Sequence, residues 1–250
     1  NRSITQGIHF PARAKRVVQI FCMGGMSQID TFDHKPALEK LHGKKLQGRG
    51  ELRGFFGQAG LIMKSPFQFK RYGKSGSWVS SILPNLATCV DECCFLHSMV
   101  AKSNNHTPAT FQMNTGFTLN GFPCMGSWLS YGLGTENENL PSFVTLPDPR
   151  GMPAGGSINW AAGFLPAAHQ GVALNTSGSE LVRDLRTPGN VSAAKRKAGL
   201  QLLENMNRKF LEENPGNSDL AARLRSYELA GAMQLSIPEA QDFSKETAAT

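Results

Sequence analysis

At 250 residues with 40% hydrophobic content the chain is long enough to bury a sizeable core, and it holds no apolar run of the roughly eighteen residues that would suggest a membrane span. Lys and Arg total 26 against 19 Asp and Glu, a net charge of +7 that favours anionic partners, yet the basic residues are dispersed without aromatic interleaving or finger spacing, which argues against nucleic acid. Five cysteines with no Cys-x-x-Cys pair exclude zinc-ribbon and thioredoxin-like readings, and they are expected as buried thiols, Cys22 and Cys94 lying on apolar runs.

The chain opens on "NRSITQGIHFPARAKR", with neither an initiator Met nor an apolar leader, and closes on "DFSKETAAT" without a helix cap, so it reads as a piece of a longer protein. "VVQIFCM" at 17–23 is continuous, apolar and rich in β-branched residues, which predicts a strand covered on both faces and broken by Gly24 and Gly25. A basic, glycine-rich irregular stretch follows to about Gly76. Leu83, Leu86, Ala87 and Val90 then recur at helical spacing, and "CCFLHSMV" predicts a second buried strand over 94–99. A helix opens at Thr107-Pro108 and stops at Gly116, another lies in "MGSWLSYGLG", and "SFVTLPD" predicts a third short strand over 142–146. This alternation implies an α/β fold whose three strands are parallel neighbours in one sheet. The texture changes at Gly151: 151–190 is poor in charge and rich in Gly, Ala and Pro, a loop-rich cover, and 191–236 reads as an antiparallel helical pair, with Leu203, Met206 and Phe210 on one face of the first helix and Leu220, Leu224 and Tyr227 on one face of the second.

Familiar motifs mostly fail. "YGKSGS" carries the Gly73-Lys74-Ser75 end of a phosphate loop, but Gln68 stands where the first glycine belongs. No G-x-S-x-G elbow and no G-x-G-x-x-G is present. Asn175 and Asn190 begin glycosylation triplets, a pattern chance supplies often.

Two stretches carry chemistry. In "GGMSQIDTFDHKP", after the first predicted strand, Gly24 and Gly25 allow a backbone to approach an anion, and Ser27, Asp30, Asp33 and His34 offer oxygens and an imidazole for a metal or a proton relay. The plainer alternative is a turn in which Asp30 and Asp33 cap the helix that Pro36 opens. In "NNHTPATFQMNTG", Asn105, His106 and Thr107 stand at a helix N-terminus, where free N–H groups and the peptide dipole favour an anion. Both stretches follow strand ends, the usual place for a site in an open α/β sheet, so they are expected to line one cleft.

Together with "FLHSM", "MGSWLSYGLGTENENLPSFVTL" and "NWAAGFLPAAHQG", these stretches resemble the exported bacterial domain-of-unknown-function family 1501 (DUF1501), placed in the alkaline phosphatase and sulfatase superfamily. The resemblance covers nearly the whole chain and implies one partial alkaline-phosphatase-like domain over 1–250, with its sheet portion in 1–150. Family members are longer and begin with a twin-arginine export signal, so the chain is expected to be exported and to hold the first part of a site. "HTPATFQMNTG" is similar in length to the sulfatase helix start that ends in Thr-Gly, which puts His106 at the nucleophile position. Ala109 and Thr110 replace the sulfatase Ser-Arg, however, and Met23 falls where the superfamily places a metal-binding Asp. The implied activity is metal-dependent hydrolysis of phosphate or sulfate esters, on a small molecule or a polysaccharide. Asp30 and Asp33 would hold a divalent ion (zinc, calcium or magnesium), Gly24, Gly25, Ser27, Asn105 and Thr107 would bind the anion, and His106 would serve as nucleophile or ligand. The alternative is a non-catalytic exported binding or scaffold protein with a degenerate site.

Overall fold

A tight hairpin organises the first part of the chain. The computed structural model describes residues 13–46, 53–54, 57–58, 60–135, 137, 139–177, 182, 189, 191–240 and 247. These fall into two compact units, Asn1–Met99 and Val100–Thr250.

In the first unit, two short helices, α1 (Gln28–Thr31) and α2 (Pro36–Leu41), precede a two-stranded antiparallel pair, β1 (Arg53–Gly54) and β2 (Gly57–Gln58). Pro36 starts α2 because its fixed φ suits a first helical position and its missing N–H costs nothing there. The hairpin proper pairs β3 (Phe69–Tyr72) with β4 (Ser77–Ser80), Phe69 opposite Ser80 and Tyr72 opposite Ser77. The chain reverses through Gly73 and Gly76, both at positive φ (66° and 63°), a conformation glycine adopts without a Cβ penalty. Helix α3 (Pro84–Ala87) follows, and Val79, Ala87 and Val90 form a small core with Phe32, Tyr72, Leu83 and Phe95 packed around it.

The second unit begins with α4 (His106–Thr115), whose limits are set locally: the Asn105 side chain caps its start, and Gly116, at φ 85°, ends it in the left-handed region. Helix α5 (Met125–Leu133) starts after Pro123 and buries Ser127 and Ser130. Strand β5 (Val144–Thr145) pairs in parallel with β6 (Val172–Ala173). Between them, the 3-10 turn Gly156–Trp160 packs on α4, with Asn159 donating to the carbonyls of Ala154 (2.9 Å) and Gly156 (3.0 Å). Helices α6 (Ala193–Glu213) and α7 (Ser218–Ala240) pack on each other, and α7 also meets the 3-10 turn Ala167–His169. Among the described residues no helix is long and apolar enough to cross a membrane.

The mixture of helix and strand agrees with an α/β chain, but the single parallel sheet does not form. The three sheets of the described residues have two strands each, and only the run at 142–146 is a strand, paired with a partner in the expected loop-rich cover. Among the described residues no strand forms over 17–23, and Val17, Val18 and Ile20 lie open to solvent. Over 94–99 the backbone turns at His97 and Ser98, and Ser98 sits at φ 61°, which a strand cannot pass through. An apolar run becomes a strand only when another strand satisfies its N–H and C=O groups, and none of the strands of the described residues includes either run. The buried-thiol expectation also fails for the two cysteines on those runs: Cys22 and Cys94 are exposed, and Cys124 is the buried one. In α6 the sheltered face is rotated by one position, to Leu203, Asn207 and Leu211, while Met206 and Phe210 are exposed.

Candidate functional site

The glycine pair is a turn. Gly24 and Gly25 take φ values of 80° and 84°, and the Gly25 N–H donates to the Cys22 carbonyl at 3.3 Å. Ser27 leads into α1, and its hydroxyl donates to Asp30 Oδ2 at 2.6 Å. That bond, followed by the Ser65 hydroxyl, holds the Asp30 carboxyl below the usual carboxylate range. Neither Asp30 nor Asp33 caps the helix at Pro36, whose N-cap is Lys35 without a side-chain bond, so the plain capping alternative fails.

Asp33 stands just beyond α1 with its two oxygens in different use. Oδ2 pairs with Lys35 Nζ at 2.7 Å, and Oδ1 lies 4.0 Å from His97 Nδ1. Both residues are on the wall of an open cavity of about 490 Å³ that Phe32, His34, Trp78 and Phe95 also line. The hairpin supplies the aromatic part: the His34 ring stacks on Phe69 (centroids 5.0 Å apart) and tilts against Trp78 (4.4 Å), while the Arg71 guanidinium lies 5.0 Å from the Trp78 centroid. His34 Nδ1 is shielded from solvent and has no hydrogen-bond partner. Beside His97, Ser98 is the one non-glycine residue at positive φ among the described residues, a local strain of the kind that gathers at binding sites.

The other half of the expected site lies in the second unit. Asn105 Oδ1 accepts the Thr107 N–H at 3.2 Å, and the Asn105 N–H donates to Ser103 Oγ at 3.1 Å, so this asparagine serves the helix terminus. His106 occupies the first helical position and is exposed, one residue inside the helix rather than ahead of it. Asp30, Asp33 and His34 thus belong to one unit and Asn105, His106 and Thr107 to the other.

A family model described as "Protein of unknown function (DUF1501)" matches residues 14–250. The chain belongs to the DUF1501 family. No curated protein and no solved structure matches it.

In this DUF1501 chain the second unit carries one further polar cluster. Ser130 Oγ on α5 lies 2.7 Å from Ser142 Oγ and 2.9 Å from His169 Nδ1. Burial, and then the Arg225 charge, push the His169 imidazole below its usual value, favouring the neutral ring. Ser130 is buried, so the cluster ties α5 to the segment leading into β5 and to the 3-10 turn Ala167–His169.

For a divalent ion, Asp33 and His97 offer one carboxylate and one imidazole on the same wall, a donor pair better suited to zinc than to calcium or magnesium. No group of three or more His, Cys, Asp or Glu side chains is gathered for a metal among the described residues, so two donors fit and a full set does not. His97, Trp78 and Phe95 went unread in the sequence as site residues. The available signal was a histidine inside an apolar run, "FLHSM", together with an aromatic hairpin strand that only tertiary packing brings to it.

Proposed function

We propose that this chain holds part of the site of an exported, metal-dependent hydrolase of phosphate or sulfate esters of the alkaline phosphatase and sulfatase type. The supporting observation is the Asp33 carboxylate, set between Lys35 and His97 on the wall of an open cavity. Asp33 and His97 would hold the ion, Lys35 and Arg71 supply positive charge nearby, and a bound divalent ion would polarise the ester oxygen. Asp30, fixed by Ser27, is then a support for the turn at Gly24 and Gly25. In the second unit His106, exposed at a helix N-terminus with Asn105 and Thr107 beside it, is a separate candidate for nucleophile or ligand.

The test is metal analysis of the full-length protein together with turnover of phosphate and sulfate esters in the presence of zinc, calcium or magnesium. The expected result is stoichiometric metal that is lost in Asp33→Asn and His97→Gln, and turnover that His106→Gln abolishes without unfolding the chain. Parent protein that retains no metal and turns over neither ester class would overturn the proposal. It would leave the second reading, a non-catalytic exported binding or scaffold protein, which the Lys35 pairing specifically favours because it already neutralises the carboxylate an ion would need.

A further inference from the structure

We infer that α6 is a self-association surface, on which a second copy of this chain packs its own α6 antiparallel, Lys195 of each copy meeting Glu213 of the other. Leu202, Met206 and Phe210 follow one another at i, i+4 spacing and are 63%, 62% and 52% exposed. The residues that α6 shelters, Leu203, Asn207 and Leu211, lie beside this stripe and leave it uncovered. Lys195 and Glu213 are about five turns apart at 3.6 residues per turn, so they stand on the same side of the helix and close the stripe at its two ends. Both are exposed, and among the described residues neither takes part in an ion pair, whereas Arg208 is bonded to Glu204 and lies near Glu228.

The charges at the two ends are the wrong way round for an isolated helix. Lys195 and Lys197 stand at the start of α6 and Glu212 and Glu213 at its finish, with no acid in the first turn and no base in the last, whereas the peptide dipole favours the reverse. Helix α7 does not offset the acidic end, because it opens with Asp219. An antiparallel α6 from a second copy does, setting a basic start against an acidic finish at both ends of the pair, as a two-fold interface requires. The same register sets Leu202 of one copy against Met206 of the other. It also lays Phe210 over Ala198 and Gly199, small exposed residues, and a Cβ added at Gly199 meets no atom of its own chain. A large ring thus faces a gap, the relation by which helix surfaces interlock. A lipid surface fits less well, since it would draw on bases along the whole stripe and Glu213 interrupts them.

The experiment is sedimentation velocity of the full chain at low salt, over loading concentrations up to the millimolar range, on the parent, Lys195→Glu, Glu213→Lys and the chain carrying both changes. Each substitution gives its end of α6 the sign that the dipole favours, so neither weakens the helix itself, and circular dichroism checks that helix content is kept. The parent should form a dimer, in the transient class because the stripe is only one helix wide. Either single change places like charges together twice across the two-fold pair and should weaken association by at least about tenfold. The double change exchanges the two ends and should return affinity to within about threefold of the parent. A parent that stays monomeric throughout, single variants that associate like the parent, or a double variant that fails to recover overturns the inference. Binding of a monomeric parent to phosphatidylserine vesicles overturns it too, and assigns the stripe to a membrane surface.

Discussion

At Asn105 and His106, neighbouring residues carry different duties, and substitution should separate them. Asn105 satisfies a free N–H of α4, so Asn105→Ala should cost about 1 kcal/mol, the usual worth of an N-cap, read as a lower urea midpoint. His106 is exposed, so His106→Gln should change stability by less than about 1 kcal/mol in the same assay. Asp91 is the second informative residue: its carboxylate accepts the N–H groups of Lys74 and Ser75, each at 2.8 Å, and those bonds hold its pKa below the usual 3.8. With the folded value depressed, the stabilisation is present above pH 3.8 and is lost as the pH falls through the folded value. Acid titration followed by the amide signals of Lys74 and Ser75 should show this, and Asp91→Asn should remove that pH dependence from the hairpin tip.

At the scale of elements, α5 offers a case where propensity and packing oppose each other. Gly126→Ala would stabilise an isolated helix by about 1 kcal/mol, yet a Cβ there meets the Phe143 ring at contact distances no real atom pair tolerates. Net destabilisation of about 1–3 kcal/mol is therefore expected, and a urea midpoint that rises instead would contradict the packing. The contrast explains which elements were legible in the sequence. Helices α4 and α5 were readable because their start and stop signals, Asn105 and Gly116 or Pro123 and Gly134, act within a few residues. The runs at 17–23 and 94–99 carried only apolarity, which does not specify a partner backbone, and neither belongs to a strand of the described residues. The same division holds for the site. Asp33 and His34 were visible in a local motif, whereas His97 and Trp78 reach the cavity only through the packing of a hairpin on a distant turn.

For the whole molecule, two units with separate buried sets predict separable unfolding. The first unit centres on Val79, Ala87 and Val90, whereas the buried hydrophobic side chains described in the second include Phe111, Cys124 and Ala162. Val79 has no exposed surface, so Val79→Ala should cost about 2 kcal/mol through lost burial and the space left behind. Hydrogen exchange read by mass spectrometry should then speed up over 69–90 and stay unchanged in α4 and α5. Acceleration throughout would mean that the chain unfolds as one cooperative body.

The hairpin tip has one more consequence. Its Gly73-Lys74-Ser75 stretch has the composition of a phosphate loop, but Asp91 of the same chain already accepts the Lys74 and Ser75 N–H groups. A tethered carboxylate acts at an effective concentration in the millimolar range or above, so free phosphate must compete with a ligand that never diffuses away. The tip is thereby closed to nucleotides by an internal competitor. Only a chain lacking Asp91 would expose those amides as a vacant anion receptor.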